Sequence, residues 1–117
     1  MKHLKTYENY NTTDRLIEYI NQNIDGEYTI FHRGEIIEVN DVYGSTYEEF
    51  HEKEFTIKYI QDWARKNLIK IENGEEPYED GTSEKVLDRY KHICNFFLGL
   101  DENDFNIWHD NKDLNLL

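Results

Sequence analysis

Residues 28–39 have the sequence YTIFHRGEIIEV, which predicts a β-hairpin. Its two halves, residues 28–31 and 36–39, are rich in the β-branched and aromatic residues that favour strands. Between them lies a short turn, residues 32–35, with a glycine at a position suited to a positive φ angle. This is the clearest strand signal in the chain, and we expect the rest of the fold to pack around it.

Upstream of the hairpin, apolar residues recur with the spacing of one helix face. Leu16, Ile17, Ile20 and Ile24 predict a helix over residues 13–24. Asp25-Gly26 follows as a typical helix stop. The polar residues 1–11 are expected to form a loose arm.

The segment after the hairpin is open to two interpretations. Thr46, followed three residues later by Glu49, forms a capping box, which predicts a helix from there to about Asn67 with a break near residues 54–56. The alternation of apolar and polar residues over 55–59 also fits a strand. We prefer the helix, and residues 54–60 stay ambiguous between helix and strand.

The last third of the chain contains one strongly periodic element. Apolar residues over 86–98 predict a helix with Gly99 at its C-terminal cap. Before it, residues 68–72 are typical of a short strand ending at the turn dipeptide Asn73-Gly74. The apolar residues 105–108 of the tail are expected to pack back as a short strand or turn.

These elements predict an α+β fold, a β-hairpin with one or two short strands packed against about three helices. A chain of 117 residues has the usual length of one domain, so we expect residues 1–117 to form a single acidic domain. No apolar segment resembles a signal peptide or reaches the ~20 residues of a membrane span. The lone Cys94 excludes an internal disulfide. We therefore expect a soluble cytoplasmic protein.

Charge restricts the partners that this chain can bind. Asp and Glu number 25 against 13 Lys and Arg, a formal charge of −12. Proteins that bind nucleic acid or anionic membranes need basic surfaces, so we expect neither direct nucleic-acid binding nor membrane binding. A protein partner with a basic surface is favoured, because opposite fields steer encounter.

Residue patterns for catalysis and metal binding are incomplete. Residues 101–104 (DEND) resemble the start of a calcium loop, but Phe105, Asn106 and Lys112 stand where ligands and the glycine belong. The five histidines have no metal-ligand spacing, and Cys94 lies in an apolar stripe. We predict no catalytic residue, no metal site and no cofactor. A metal-dependent hydrolase or nuclease is a remote alternative.

Two acidic stretches that contain tyrosines are the best candidate for a binding surface. Residues 35–54 hold seven acids against Lys53 alone, and residues 72–84 hold six acids and no base. Tyrosine supplies rigid contact area with a polar tip and is favoured at interfaces. The residues assigned to this partner surface are Asp41, Tyr43, Tyr47, Glu48, Glu49, Glu52, Glu72, Glu75, Glu76, Tyr78, Glu79 and Asp80.

The leading hypothesis is a small acidic protein–protein interaction module. In its sharper form the protein inhibits a nuclease or another nucleic-acid-binding effector by imitating nucleic acid, since twelve charges correspond to about 20 Å of duplex at one charge per ~1.7 Å. Phage-encoded antirestriction and anti-CRISPR inhibitors use this strategy, and the analogy rests on size and charge alone. The alternative is a housekeeping or structural interaction subunit whose acidity only provides solubility. The sequence leaves the oligomeric state open.

Overall fold

A computed structural model describes the backbone of residues 2–75 and 84–115 and the side chains of residues 12–75 and 84–112. The described residues confirm the α+β prediction. In chain order the elements are α1 (Lys2–Asn23), β1 (Tyr28–Arg33), β2 (Ile36–Asp41), β3 (Thr46–His51), the short 3-10 helix η1 (Glu52–Glu54), α2 (Ile57–Glu72), α3 (Glu84–Leu98) and α4 (Glu102–Asn115).

Two compact units make up the chain. The sheet unit comprises residues 1–56 and 102–117, and the helix-pair unit comprises residues 57–101. The expectation of a single domain stays a prediction.

The sheet is antiparallel with the strand order β1-β2-β3, and the predicted hairpin forms its first two strands. Residues alternate between the two faces, so that Ile30, Ile37 and Val39 are buried on one side. Gly34 adopts a φ angle of 58° in the turn, as its position indicated. Local sequence signals were sufficient here because both strands and the turn are contiguous.

The helix predicted from Thr46 onward is wrong, because residues 46–51 form β3. Tyr47 and Phe50 are both buried although they are three residues apart, a spacing typical of a helix. A register shift between Val39 and Asn40 makes Tyr47 the extra residue of a β-bulge, which lets both rings lie on the inner face. A helix cap contributes only about 1 kcal/mol, less than the burial of two aromatic rings provides.

Helix α1 packs on β1 through the predicted apolar face, where Ile20 is completely buried. It begins at Lys2, so the structure continues the helix through residues 2–11, where a loose arm was expected. The Asn21 side chain binds the edge of the sheet. Its Nδ2 donates to the Ile30 carbonyl at 3.0 Å, and its Oδ1 accepts from the Ile30 N–H at 2.8 Å.

The tail forms helix α4, which corrects the prediction of a short strand or turn for residues 105–108. Glu102 and Asp104 lie in its first turn, where carboxylates favour a helix N-terminus. Phe105 and Trp108, three residues apart, share one face and contact Tyr19 of α1 at ring distances of 5.4 and 5.2 Å. Residues 101–104, which resemble the start of a calcium loop in sequence, therefore precede and begin a helix.

In the helix-pair unit, α2 and α3 pack through apolar faces. The α3 helix confirms the prediction for residues 86–98 and buries Tyr90, Ile93, Cys94 and Phe97. The indole of Trp63 in α2 contacts the Phe97 ring at 5.8 Å. The ambiguity over residues 54–60 is resolved by η1, followed by a helix that begins at Ile57.

The strand predicted over residues 68–72 is wrong, because α2 continues to Glu72. The Asn73-Gly74 dipeptide ends this helix instead of joining two strands. Gly74 has a φ angle of 80° and its N–H donates to the Ile71 carbonyl at 3.1 Å, while the Glu75 N–H donates to Lys70 at 2.8 Å. This is a Schellman cap, which also requires a glycine and therefore resembles a hairpin turn in sequence.

Candidate interaction site

The residues that the sequence assigned to one partner surface fall into three groups. Glu76, Tyr78, Glu79 and Asp80 lie outside the described residues. Glu72 and Glu75 lie at the end of α2 in the helix-pair unit, and both are exposed. The remaining six belong to the sheet unit: Asp41, Tyr43, Tyr47, Glu48, Glu49 and Glu52.

Asp41 and Tyr47 are buried, with 7% and 3% of their surface exposed, so they do not form part of an exposed contact surface. Instead they build the loop between β2 and β3. One oxygen of Asp41, Oδ1, accepts the N–H groups of Tyr43 at 2.8 Å and Ser45 at 3.0 Å. The other, Oδ2, accepts the Tyr47 hydroxyl at 2.5 Å. Burial of a carboxylate away from water is costly unless hydrogen-bond donors replace the water, and these three donors do so for Asp41.

The remaining backbone donors of this loop are bonded as well. The Asp41 N–H donates to the Ser45 carbonyl at 3.0 Å, and the Gly44 N–H donates to the Asp41 carbonyl at 3.3 Å. The Val42 N–H reaches across to the Glu27 carbonyl at 2.9 Å. All five N–H groups from residue 41 to residue 45 therefore donate a hydrogen bond within the sheet unit, and the loop has a defined conformation.

This loop holds two large apolar side chains in solvent. Tyr43 is 64% exposed and Val42 is 60% exposed, the highest values for large hydrophobic residues in the part of the chain whose side chains are described. The exposed Asp25 and Glu27 lie in the adjoining connection between α1 and β1. We call Asp25, Glu27, Val42 and Tyr43 the loop end.

Sequence reasoning identified Tyr43 but missed the other three members of the loop end. The hairpin register pairs Tyr28 with Asp41, which places residue 27 beside residue 42. That register follows from the predicted turn at Gly34, so extending it outward would have found this cluster. No sequence signal predicts the exposure of Val42, because a valine that follows a strand usually extends that strand.

At the opposite end of the sheet, charged side chains pair with one another. The His32 ring contacts Asp14 Oδ1 through Nδ1 and Glu52 Oε2 through Nε2, both at 2.8 Å. The hydrogen bond to Asp14 raises the pKa of His32 above 6.5, burial opposes this, and the contact with Glu52 adds to it. We call residues 32–35, Asp14 and Glu52 the turn end. Glu52, assigned to the partner surface, thus has an internal partner.

The last two assigned acids lie on β3. Glu49 is exposed and lies opposite Glu38 in the β2–β3 register. Directly opposed like charges destabilise a sheet, and the Arg33 Nε, 3.4 Å from Glu38 Oε1, offsets part of this repulsion. Glu48 is partly exposed, and its Oε1 accepts the Glu49 N–H at 2.9 Å.

Nucleophilic and metal chemistry find little support among the described side chains. Burial raises the pKa of the Cys94 thiol to about 12, so the reactive thiolate is scarce at neutral pH. Over residues 12–75 and 84–112, no three His, Cys, Asp or Glu side chains are grouped as metal ligands. None of the helices in the described ranges has the length and apolar character needed to cross a bilayer.

The chain was compared with known proteins in three ways. No protein-family model, no curated protein and no solved structure matches this chain.

Proposed function

We propose that this protein is a protein–protein interaction module that binds a partner with a basic surface through the loop end. The observation that supports this most is the hydrogen-bonded loop itself. Residues 41–45 satisfy every backbone N–H internally while Val42 and Tyr43 stay exposed. A loop that is ordered before binding loses little conformational entropy on association, which increases affinity.

The chemistry of the loop end indicates the kind of partner. Tyrosine is a frequent anchor at interfaces because its ring is large and rigid and its hydroxyl forms hydrogen bonds. Around it, residues 12–56 carry eleven acids against three bases. A field of this sign accelerates encounter with a basic surface and repels acidic ones.

The sharper proposal is that the partner handles nucleic acid and that this protein inhibits it by occupying its basic groove. The support is the charge, −12 over 117 residues, together with its concentration in the sheet unit. A lysine- and arginine-lined groove that binds phosphates by counterion release would accept a dense array of carboxylates in the same way.

A site-specific crosslink tests the module. A photoreactive phenylalanine derivative replaces Tyr43 in one variant and Ile107, which is 58% exposed on α4, in a matched control. Both variants are exposed to a lysate of the cells that encode the protein, and crosslinked proteins are identified by mass spectrometry. We expect a basic protein to be captured from position 43 and not from position 107. Equal capture at both positions, or none at 43, would contradict a docking role for the loop end.

The purified partner then tests the inhibitor. Binding of this protein should weaken steeply with salt and should displace the nucleic acid of the partner. Binding that is insensitive to salt and leaves the nucleic acid in place would reject nucleic-acid imitation while leaving the interaction module intact.

A further inference from the structure

Charge is distributed unevenly along the chain, and helix α2 carries a basic face. Although the whole chain has a charge of −12, α2 and α3 together hold seven bases and four acids. The four bases of α2 are all exposed: Lys58, Arg65, Lys66 and Lys70. With four bases and two acids, α2 therefore carries a charge of opposite sign to the surface around the loop end.

The same helix contains a small cleft of about 160 Å³ lined by Tyr59, Asp62, Trp63 and Lys66. Residues 59, 63 and 66 follow the spacing of one helix face, so their side chains are neighbours. The indole of Trp63 is held by its contact with Phe97, and Arg65 Nη1 donates to Asp62 Oδ1 at 2.7 Å. Two aromatic rings, one carboxylate and one ammonium group thus surround a single cleft.

This combination fits a phenol. An aromatic ring packs favourably against tyrosine and tryptophan rings in offset or edge-to-face geometry. A phenolic hydroxyl both donates and accepts, so it can donate to the Asp62 carboxylate and accept from the Lys66 ammonium. The chain itself displays such a group, the 64% exposed Tyr43, beside the acids Asp25 and Glu27.

We propose that the loop end of one copy docks on α2 of a second copy, with Tyr43 in the cleft. This inference rests on the proposed function, because it uses the same docking surface and names one partner for it. Charge complementarity selects this occupant: Asp25 and Glu27 carry the sign opposite to that of Lys66 and Lys70. The exposed Val42 and Ile69 add apolar surface on the two sides, both more than half exposed.

A contact between two different surfaces has a defined consequence for assembly. Each bound pair retains one unoccupied loop end and one unoccupied α2 face, so association proceeds to longer chains or to a closed ring. Because the contact depends partly on exposed charges, it weakens as salt increases. Another basic partner that takes the loop end would also prevent self-association.

Two variants separate the two surfaces. Tyr43→Ala removes the phenol and leaves α2 intact, whereas Lys66→Glu reverses a charge in the cleft and leaves the loop end intact. In sedimentation velocity at low salt, each variant alone should lose about thirtyfold in association constant, the loss typical of a hot-spot residue. Mixed in equal amounts, they should form a dimer that grows no further, since only one functional contact remains.

Two further variants serve as controls. Ile107→Ala removes an equally exposed apolar side chain, and Lys91→Glu reverses an exposed charge on α3. Both should associate as the wild type does. Circular dichroism and unfolding curves establish that all four variants are folded.

Each other outcome overturns the inference in a recognisable way. A wild type that stays monomeric at its highest soluble concentration rejects self-association. A loss with Tyr43→Ala but not with Lys66→Glu means that the loop end docks elsewhere, so the inference fails while the proposed function stands. A mixture that stays monomeric means that the loop end of one variant does not dock on the intact α2 of the other, which rejects the inference. The crosslink from position 43 to a different protein tests the proposed function independently of all three.

Discussion

The two ends of the three-stranded sheet satisfy their polar groups in opposite ways. At the turn end, charged side chains pair with each other, as His32 does with Asp14 and Glu52. At the loop end, the carboxylate of Asp41 is turned inward and binds the backbone of its own loop. The apolar side chains beside it, Val42 and Tyr43, are left in water.

This difference shows how much the two ends depend on individual polar contacts. Exposed ion pairs such as those at the turn end contribute little to the free energy of unfolding. They also tolerate the loss of a partner, because water solvates a charge that is left unpaired. A buried carboxylate is costly unless it is fully bonded, so the loop end depends on a few specific contacts. Those contacts hold a loop whose outermost side chains, Val42 and Tyr43, stay more than half exposed, and this exposure supports our proposal that the loop end binds a partner.

The largest expected effect is at the buried carboxylate. Asp41→Ala leaves two backbone N–H groups and the Tyr47 hydroxyl without their acceptor and should lower the free energy of unfolding by about 3 kcal/mol. Urea denaturation measures it. Asp41→Asn, which keeps one acceptor oxygen, should lie between the wild type and Asp41→Ala. The matched change at the turn end, Glu35→Ala, should stay within about 0.5 kcal/mol. A small effect of Asp41→Ala would remove the contrast between the two ends.

A smaller contrast concerns the two turn glycines. Gly44 has a φ angle of 94° and Gly34 one of 58°, and no atom lies within 4 Å of a Cβ built on either. Alanine at Gly34 falls near the left-handed minimum and should cost about 1 kcal/mol, whereas alanine at Gly44 lies outside it and should cost about 2 kcal/mol. Thermal unfolding of Gly44→Ala and Gly34→Ala gives the comparison. Equal costs would show that the loop end is no more constrained than the turn end.

Tyr47→Phe tests a single hydrogen bond of the loop end. The ring stays buried, and only the donor to Asp41 Oδ2 is lost. We expect a destabilisation of about 1.5 kcal/mol, because the buried carboxylate loses one partner. Combining Tyr47→Phe with Asp41→Ala should add almost nothing to the effect of Asp41→Ala alone. Full additivity in this double-mutant cycle would mean that the two side chains do not interact.

At the turn end, stability should depend on the charge of His32. Its pKa is raised above 6.5 in the folded protein, chiefly by the hydrogen bond to Asp14. The contribution is therefore complete below the unfolded pKa of about 6.5 and is lost as pH rises through the folded pKa. His32→Gln should be destabilising at pH values below 6.5 and nearly neutral once the pH exceeds the folded pKa. An NMR titration of the ring measures the pKa directly, which Asp14→Asn should lower.

The smallest effect on stability is expected at the most exposed residue. Tyr43→Ala should change the free energy of unfolding by less than about 0.5 kcal/mol, since the residue is 64% exposed. The same variant should weaken docking through the loop end about thirtyfold. Tyr43 would then affect binding but not stability, whereas Asp41, two residues earlier in the sequence, would affect stability. A substantial loss of stability would show instead that the ring is part of the fold.

Local patterns predicted the elements whose signal is contiguous. The first hairpin and α3 could be located because strand alternation, a glycine turn and a helical apolar stripe lie within single short segments. In contrast, β3 depends on a bulge that places Tyr47 and Phe50 on one face, a geometry set by pairing with β2. The end of α2 was missed because Gly74 serves equally in a helix cap and a hairpin turn.

The candidate site was only partly predictable for a related reason. Composition pointed to acidic segments with tyrosines, which identified Tyr43. Whether a residue can contact a partner depends on its burial in the folded protein. The sequence alone does not show that Asp41 and Tyr47 are buried while Val42 is exposed. Asp25 and Glu27 join the site through the strand register, which is a property of the folded sheet.

Asn21 has a consequence for how this protein can associate with others. An outer strand with unbonded peptide groups is a template on which a strand from another molecule can add, and proteins block such edges to avoid aggregation. The amide of Asn21 bonds both peptide groups of Ile30 as a neighbouring strand would. A foreign strand would first have to break these two hydrogen bonds in the middle of β1. The sheet is thereby protected from growing along the β1 edge.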